Sequence, residues 1–576
     1  MDNKLNRTNK DRAPIVLFVV PPSIPFKYLT EALQGEPSAH AQPVVIPLGP
    51  LYLASTLERD IPDVDIRLLD LARSYRDFLE SDNPPKSNLV ELTRMGFSEY
   101  PDDFVPDFIG LSVLFSTAHR SLQAIAVALK ERWPNTPIVV GGNHATNATA
   151  RILEYDEIDF VFRGEGEAVI ADLALAARDG LNLQTVPGVV GPEKSLQAKE
   201  SKLPISEVAP LVEDLDTIPF PAWHLLPMEE YSLDLVPGRT RRLGKIDKVD
   251  ADKQIAIMTT RGCPFSCTFC STWTVHTRKM RYRSPQNVIE ELRILHERYG
   301  IKTISPEDDL FTVKKDRIVE LCDSIAAEFG DKLRFQFPNG LSANTLDRDV
   351  IEAMIRMGME IANIAIESGS EYVQRNIIKK NCNLEHAREV IEDCRDTGIV
   401  TRAFFIMGLP GETREQMQET VDYAASLPTD WNAFQTAAPL YGTAMFDDFI
   451  ELGYIDESFR LDEAMFEERV FDTDEMTAKD LGEFIYSANI RVNFFNNYNL
   501  RNGQYDRAIE LYENILDNYP WHLAAKYCIA LAHEGKGDQK AYDEAMGNCR
   551  EMISDDGNPL SKNLYTEFFE YFERLH

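Results

Sequence analysis

Cysteine is missing from the first 262 of the 576 residues, and the eight that occur lie at 263, 267, 270, 322, 382, 394, 528 and 549. Three share one octapeptide. This distribution excludes a disulfide framework and points to a ligand cluster in a reducing compartment. Long apolar runs are missing as well. The run at residues 15–20 stops at Pro21-Pro22, far short of the roughly 20 residues of a spanning helix, so it reads as a buried strand and the expected location is the cytoplasm. Positive charge is in deficit, with 60 Lys+Arg against 93 Asp+Glu and a net charge of −33. Such a surface repels a phosphate backbone, which excludes nucleic acid as a partner. What is present is an ordinary globular composition, 44% hydrophobic and 27% charged, long enough for about three or four domains.

From Pro14 to about Glu193, short β-rich runs alternate with amphipathic helices. Strands are expected at residues 15–20, 65–69, 108–114, 138–140 and 160–162, with a clear helix at 121–132. This alternation gives a parallel sheet with helices on both faces and a ligand crevice at the carboxyl ends of the strands. Pro219, Pro221 and Pro227 and a polar stretch to Lys253 mark a linker. A second alternating region, 254–453, has strand candidates at 255–259, 303–305, 333–337, 361–366, 401–407 and 433–436. Helices such as 285–297 and 348–357 lie between them. The expected fold is therefore α/β: a Rossmann-like domain (14–195) after a short tail (1–13), a linker (196–253), and a partial (β/α)6 barrel (254–453). An acidic helical cap (454–500) and a helical tail (501–576) follow. Acids far outnumber bases between 445 and 483, which reads as a solvated face. Phe446, Phe449, Tyr454, Phe459, Phe466 and Phe471 within it read as packing for the cap. Gly503, Tyr505, Ala508, Tyr512 and Pro520 resemble the second-helix half of a tetratricopeptide repeat, with a weaker copy around Gly537. The tail is expected to cap the barrel or to dock a protein partner.

The segment Thr259-Thr260-Arg261-Gly262-Cys263-Pro264-Phe265-Ser266-Cys267-Thr268-Phe269-Cys270 follows directly on an expected strand. Its thiols are thus presented on a loop at a strand's C-terminal end. Thiolates suit an iron–sulfur cluster or zinc. Three ligands for four irons leave one iron open for chemistry, whereas a zinc site would need His276 to complete it.

CxxxCxxC with an aromatic residue before the last cysteine resembles the radical S-adenosylmethionine (SAM) enzymes. The resemblance implies one 4Fe-4S cluster on Cys263, Cys267 and Cys270, SAM chelated at the fourth iron, and Phe269 lining the SAM site. Ser305-Pro306-Glu307-Asp308-Asp309-Leu310-Phe311-Thr312 matches the acidic segment that ends the second strand in that family, so Asp308 or Asp309 would accept from the SAM amine, with a helix N-cap as the competing role. Ile366-Glu367-Ser368 and Gly408-Leu409-Pro410-Gly411-Glu412-Thr413 resemble the family's fourth- and fifth-strand motifs, and place Glu367, Ser368, Gly408 and Pro410 around SAM. Ser342 and Asn344 stand where relatives often carry an arginine and an acid. The basic run Arg278, Lys279, Arg281, Arg283 either attracts the SAM carboxylate or forms a solvated approach to a helix with Ser284 as N-cap and Pro285 at N1.

In the first domain, Ser112-Val113-Leu114 and Gly141-Gly142 resemble two elements of the cobalamin-binding trio. At the place of the third, Asp70 keeps the acid while the histidine and glycine are missing. The resemblance, to radical SAM enzymes with a cobalamin-binding domain, implies cobalamin near Asp70, Ser112, Leu114, Gly141, Gly142 and His144, with no protein imidazole beneath the cobalt. Residues 47–54, Gly164-Glu165-Gly166-Glu167 and Asp214-Leu215-Asp216 are further positional matches, and the likeness spans residues 14 to 453. Such enzymes take an electron from a donor such as flavodoxin or ferredoxin, cleave SAM to a radical that removes hydrogen from an unactivated carbon, and pass on a methyl group carried by cobalamin. The expected substrate is a small or lipid-like molecule. Oxidative cyclisation or coupling without methyl transfer is the alternative in the same family, and a tetratricopeptide-type scaffold with a vestigial barrel the alternative outside it. The lack of cysteine before Cys263 excludes a second cluster of the methylthiotransferase kind.

Overall fold

The computed structural model describes residues 12–35, 45–81, 85–98, 100–201, 205–231, 254–459, 469–555 and 557–575. Most of the expected 1–13 tail, the linker from 232 to 253 and Phe466 fall outside the described residues.

Six strands form the first sheet: β1 (Ile15–Val20), β2 (Asp65–Asp70), β3 (Phe108–Ser112), β4 (Ile138–Gly141), β5 (Phe160–Phe162) and β6 (Val189–Val190), in the order β2-β1-β3-β4-β5-β6. The first five are parallel and β6 is antiparallel to β5. The interior of β1, Val16 to Val19, is buried on both faces, as a strand flanked by two helix layers must be. Chain order reverses between β1 and β3, which opens a crevice at their C-terminal ends. The β3 strand stops at Ser112, two residues short of expectation. Immediately after it, the Val113 N–H donates to Gly141 O, and Leu114 and Phe115 emerge into solvent.

The second region begins with β7 (Gln254–Ile257), followed by a two-stranded antiparallel ribbon of β8 (Thr260–Arg261) and β9 (Arg281–Tyr282). The barrel continues with β10 (Thr303–Pro306), β11 (Arg334–Phe335), β12 (Leu341–Ser342), β13 (Ile361–Glu367), β14 (Val400–Met407) and β15 (Trp431–Thr436). Two parallel pieces, β7-β10-β11 and β12-β13-β14-β15, are joined by a bridge between Phe335 and Met359. The third barrel position, expected as one strand at 333–337, is therefore split. Pro338 has no N–H to donate to a ladder, and the chain turns at Gly340 before β12 begins. Ser284 caps the helix Pro285–Tyr299 with a proline in its first turn, and Gly300 ends it.

One apolar cluster runs from Val16 and Phe18 through Trp223 and Tyr231 to Ile255, Ile304 and Ile364. A second joins the other face of the first sheet to Leu409, Tyr441, Met445, Phe446 and Phe449. The two α/β regions thus share their cores, and the barrel mouth faces the C-terminal edge of the first sheet. Tyr454, Phe459 and Phe471 pack on this second cluster, so the described aromatics of the acidic segment are packing groups, as expected.

The tail helices Tyr505–Asn518, Leu523–Lys536, Gln539–Ser554 and Pro559–Glu567 enclose a third cluster. They are fastened to the barrel through Asp430. This buried carboxylate pairs with Arg507 at 2.5 Å and Arg395 at 3.7 Å, and accepts from Thr401 N and Asn499 Nδ2. Among the described residues no helix is long and apolar enough to cross a membrane.

Candidate functional site

The three cysteines lie on the loop whose neck is the β8–β9 ribbon. Gly262 opens that loop at φ +98, and a Cβ there would come within 2.3 Å of Lys279 O, so only glycine fits. The loop is pinned at several points. Cys263 N donates to Thr277 O, Thr268 N to Ile378 O, and Met445 N to Thr268 O. All three thiols are free and half-buried. Burial raises the pKa of Cys263, and pushes that of Cys267 up to about 12 although Lys380 opposes it. The ligand-free thiols of Cys263 and Cys267 therefore keep their protons at neutral pH, and a metal would displace them. Among the described residues no three His, Cys, Asp or Glu side chains are close enough to hold one metal ion. His276, which the zinc reading requires, directs Nδ1 to Glu165 Oε1 at 2.7 Å.

The two aspartates expected beside SAM take different positions. Asp308 is buried and accepts from Thr259 N, Thr259 Oγ1 and Thr260 N at 2.5 to 3.1 Å, so both its oxygens brace the base of the cysteine loop. Burial raises its pKa against those hydrogen bonds. Asp309 is half-buried and accepts from Gly262 N at 2.9 Å, one residue before Cys263. Glu367 ends β13 at φ +75 beside a register shift, and its Oε1 meets Lys380 Nζ at 2.8 Å. Both side chains are buried. Burial works against the Lys380 charge, but Glu367 and Cys267 outweigh it and raise its pKa.

Ser368, Gly408, Pro410 and two arginines of the basic run are buried. Ser368 is fully buried and its hydroxyl pairs with Thr420 Oγ1 at 3.0 Å. At Gly408 the group in close approach is Leu481, 2.5 Å from where a Cβ would stand, so that backbone is covered by the helix Ala478–Ile490. Pro410 beside it is buried. The arginines Arg281 and Arg283, expected near SAM or in solvent, are buried and paired with Glu165 and Glu291.

On the facing sheet edge, Gly142 has φ +112, and a Cβ there would lie 2.3 Å from Val113 O. The Gly141-Gly142 turn therefore lies against the chain leaving β3. Beside it, Leu114 and Phe115 are 53% and 43% exposed. Asp70 caps the helix Leu71–Glu80 through Ala72 N and Arg73 N and accepts from Tyr231 OH at 2.7 Å, which occupies both its oxygens. His144 is 3% exposed, with Nδ1 on Ser116 Oγ and Nε2 on His119 Nδ1, both at 2.9 Å. Burial and the neighbouring His119 hold its pKa down to about 3. It is a neutral floor residue with no free nitrogen for a metal.

The radical SAM superfamily matches residues 257–424 and the B12 binding domain family matches residues 38–174. An uncharacterized methyltransferase of Pyrococcus horikoshii is 31% identical over 404 residues, 70% of this chain and 78% of that protein. The chain belongs to the cobalamin-binding radical SAM enzymes. A second relative, the cytidylyl-2-hydroxyethylphosphonate methyltransferase of Streptomyces wedmorensis, is 28% identical over 432 residues, covering 71% and 79% of the two chains. The fold is shared with OxsB, described as a cobalamin-dependent S-adenosylmethionine radical enzyme. The TM-score is 0.59 over 98% of this chain and 84% of that one, at 14% identity. The likeness in fold therefore takes in the helical tail, which the motifs do not reach.

As a cobalamin-binding radical SAM enzyme the protein uses a 4Fe-4S cluster, SAM and cobalamin. The residues present fit these groups. Three free, half-buried thiols on one loop suit an iron–sulfur cluster. Leu114 and Phe115 expose apolar surface at the sheet edge where the flat face of a corrin would cover it. Lys380 escaped sequence reasoning. The only signal for it was a lysine pair shortly after the Glu367 motif, in a stretch with no periodic pattern.

Proposed function

We propose that the protein is a cobalamin-dependent radical SAM C-methyltransferase acting on a small molecule. The observation that carries this reading is the cysteine loop, held at the barrel mouth and facing the Gly141-Gly142 edge of the first sheet. The two methyltransferase relatives, each matched over most of its length, support methyl transfer over cyclisation. When bound, the cluster and SAM supply a carbon-centred oxidant and cobalamin supplies the methyl group.

The chain's own residues hold and orient. Cys263, Cys267 and Cys270 ligate the cluster. Asp309, Glu367 and Phe269 line the SAM site, while Asp308 fixes the strand end from which the cysteine loop departs. Lys380 neutralises Glu367 within the protein, so that carboxylate is not left as an unpaired buried charge. Ser112, Leu114, Gly141 and Gly142 receive cobalamin, and Asp70 and His144 support that edge from below. Packing between the mouth and the sheet edge keeps water from the reacting carbon. The electron comes from a soluble donor such as flavodoxin or ferredoxin, in the cytoplasm.

The test is anaerobic incubation of reconstituted protein with SAM, dithionite and cobalamin, followed by chromatography. Wild type is expected to form both 5′-deoxyadenosine and S-adenosylhomocysteine, and C263A/C267A/C270A to form no 5′-deoxyadenosine. Formation of 5′-deoxyadenosine without S-adenosylhomocysteine would contradict methyl transfer.

A further inference from the structure

Three sequence matches have no role in the reading above: residues 47–54, Gly164-Glu165-Gly166-Glu167, and Asp214-Leu215-Asp216. In the fold they converge on one place, the β8–β9 ribbon that forms the neck of the cysteine loop. Glu165, on the loop after β5, is 1% exposed at its side chain. Its Oε2 accepts from Arg261 Nη1 at 3.1 Å and from Arg281 Nη1 at 2.8 Å, and its Oε1 from His276 Nδ1 at 2.7 Å and from Arg281 Nη2. Arg261 ends β8 and Arg281 begins β9, and the two are paired across the ribbon. Glu167 Oε1 takes the other arm of Arg261 at 2.6 Å. Tyr52 from the 47–54 segment lies against the Arg261 guanidinium, 5.5 Å from ring centre to charge. Val212 O accepts from Arg281 Nη1, and Asp216 Oδ1 from Ser284 N, both at 2.8 Å.

Burial alone would raise the Glu165 pKa. The hydrogen bonds of Arg281 and His276 and the Arg261 charge overcome it and hold the carboxyl far below its usual range. A buried ion cluster of this kind gives little net stability, because desolvation cancels most of the attraction. It gives geometry instead: arginine forks on a carboxylate fix both distance and orientation. The carboxylate belongs to the first sheet, and the forks stand immediately before and after the cysteine loop.

We propose that Glu165 is a positioning residue that registers the neck of the cysteine loop to the first sheet and so sets the separation between the cluster and cobalamin. Productive geometry in such sites tolerates only about half an ångström of drift, and the two-residue strands of the ribbon are too short to supply that constraint alone. The inference rests on the cofactor assignment above.

The test is pulsed dipolar electron paramagnetic resonance on holoenzyme with the cluster reduced and the cobalamin in its Co(II) form, both paramagnetic. Glu165→Gln removes the charge at nearly constant shape, and Glu167→Gln removes one arm only. With iron and corrinoid contents equal to wild type, the distance distribution is expected to broaden at least twofold in E165Q and by less in E167Q. A distribution superimposable on wild type in E165Q overturns the proposal. If E165Q does not accumulate as folded protein, E167Q decides in the same way, by broadening or by an unchanged distribution. A purely structural role would lower the unfolding temperature and leave the distance unchanged. Absence of either paramagnetic signal from wild type would instead contradict the cofactor assignment.

Discussion

Lys380 Nζ lies 2.8 Å from Glu367 Oε1, with both side chains buried, and its charge acts on the Cys267 thiol. The pair joins the end of β13 to the segment that follows it, 13 residues further along the chain. The two side chains keep only 8% and 10% of their surface exposed.

Lys380→Met is therefore expected to destabilise the ligand-free protein by about 3–5 kcal/mol, because it strands a buried carboxylate. The double variant K380M/E367M should recover most of that loss, since two apolar groups need no partner. Urea unfolding followed by tryptophan fluorescence measures both. Equal stability of K380M and wild type would show that Glu367 finds another partner.

Glu412 gives a pH signature. It is fully buried, accepts from Gly408 N and Leu409 N, and burial pushes its pKa up to about 8. The folded state thus keeps a proton that the unfolded chain releases near the ordinary value of 4.5. Its contribution is complete below the unfolded value and is lost as pH rises through about 8. Glu412→Gln is neutral throughout, so its Tm should fall less than that of wild type between about pH 5 and about pH 8.

Asp430 has the opposite sign. Burial would raise its pKa, but the hydrogen bond and charge of Arg507 lower it, so its contribution is present above the unfolded value and lost as pH falls through the folded one. Arg507→Ala is expected to cost about 1.5–3 kcal/mol at neutral pH, the range for losing a hydrogen bond to a charged group. Calorimetry should show the cost shrinking toward acid pH.

Gly142→Ala forces a side chain onto φ +112 and into Val113 O. It should lower the corrinoid retained through gel filtration while leaving the iron content per chain unchanged. Loss of both together would mean that the turn supports the whole fold and not the sheet edge alone.

The barrel and the sheet were legible because most of their strands are continuous apolar runs bounded by turn residues. β1 and β5 fall at their expected limits, and β13 and β14 differ from expectation by one residue. β6 was missed because two residues carry no period, and the third barrel position was drawn as one strand because Phe337 continues an apolar alternation that Pro338 then breaks. Within the site, the cysteines were legible as a motif. The choice between Asp308 and Asp309 was not, because it depends on which carboxylate the Thr259 and Thr260 amides capture. Within the basic run, Arg278 and Lys279 are exposed as a solvated approach requires, but Arg281 and Arg283 were misread for a related reason. Charge in a sequence suggests solvent or an anionic ligand, and only the fold brings Glu165 to Arg281 across 116 residues of chain. The tail was read as a cap or a docking module from its likeness to a tetratricopeptide repeat; its packing on the barrel, where Arg507 meets Asp430, Gly398 O and Ile399 O, joins residues far apart in the chain and carries no sequence signal.

The central claim is that Cys263, Cys267 and Cys270 carry a 4Fe-4S cluster in a protein that also holds cobalamin. Anaerobic reconstitution with iron, sulfide and cobalamin, followed by gel filtration and assay of iron and corrinoid per chain, tests it directly. The account predicts about four irons and one corrinoid in wild type, and in C263A/C267A/C270A almost no iron with the corrinoid retained. Equal iron and equal brown absorbance in the triple variant would contradict it.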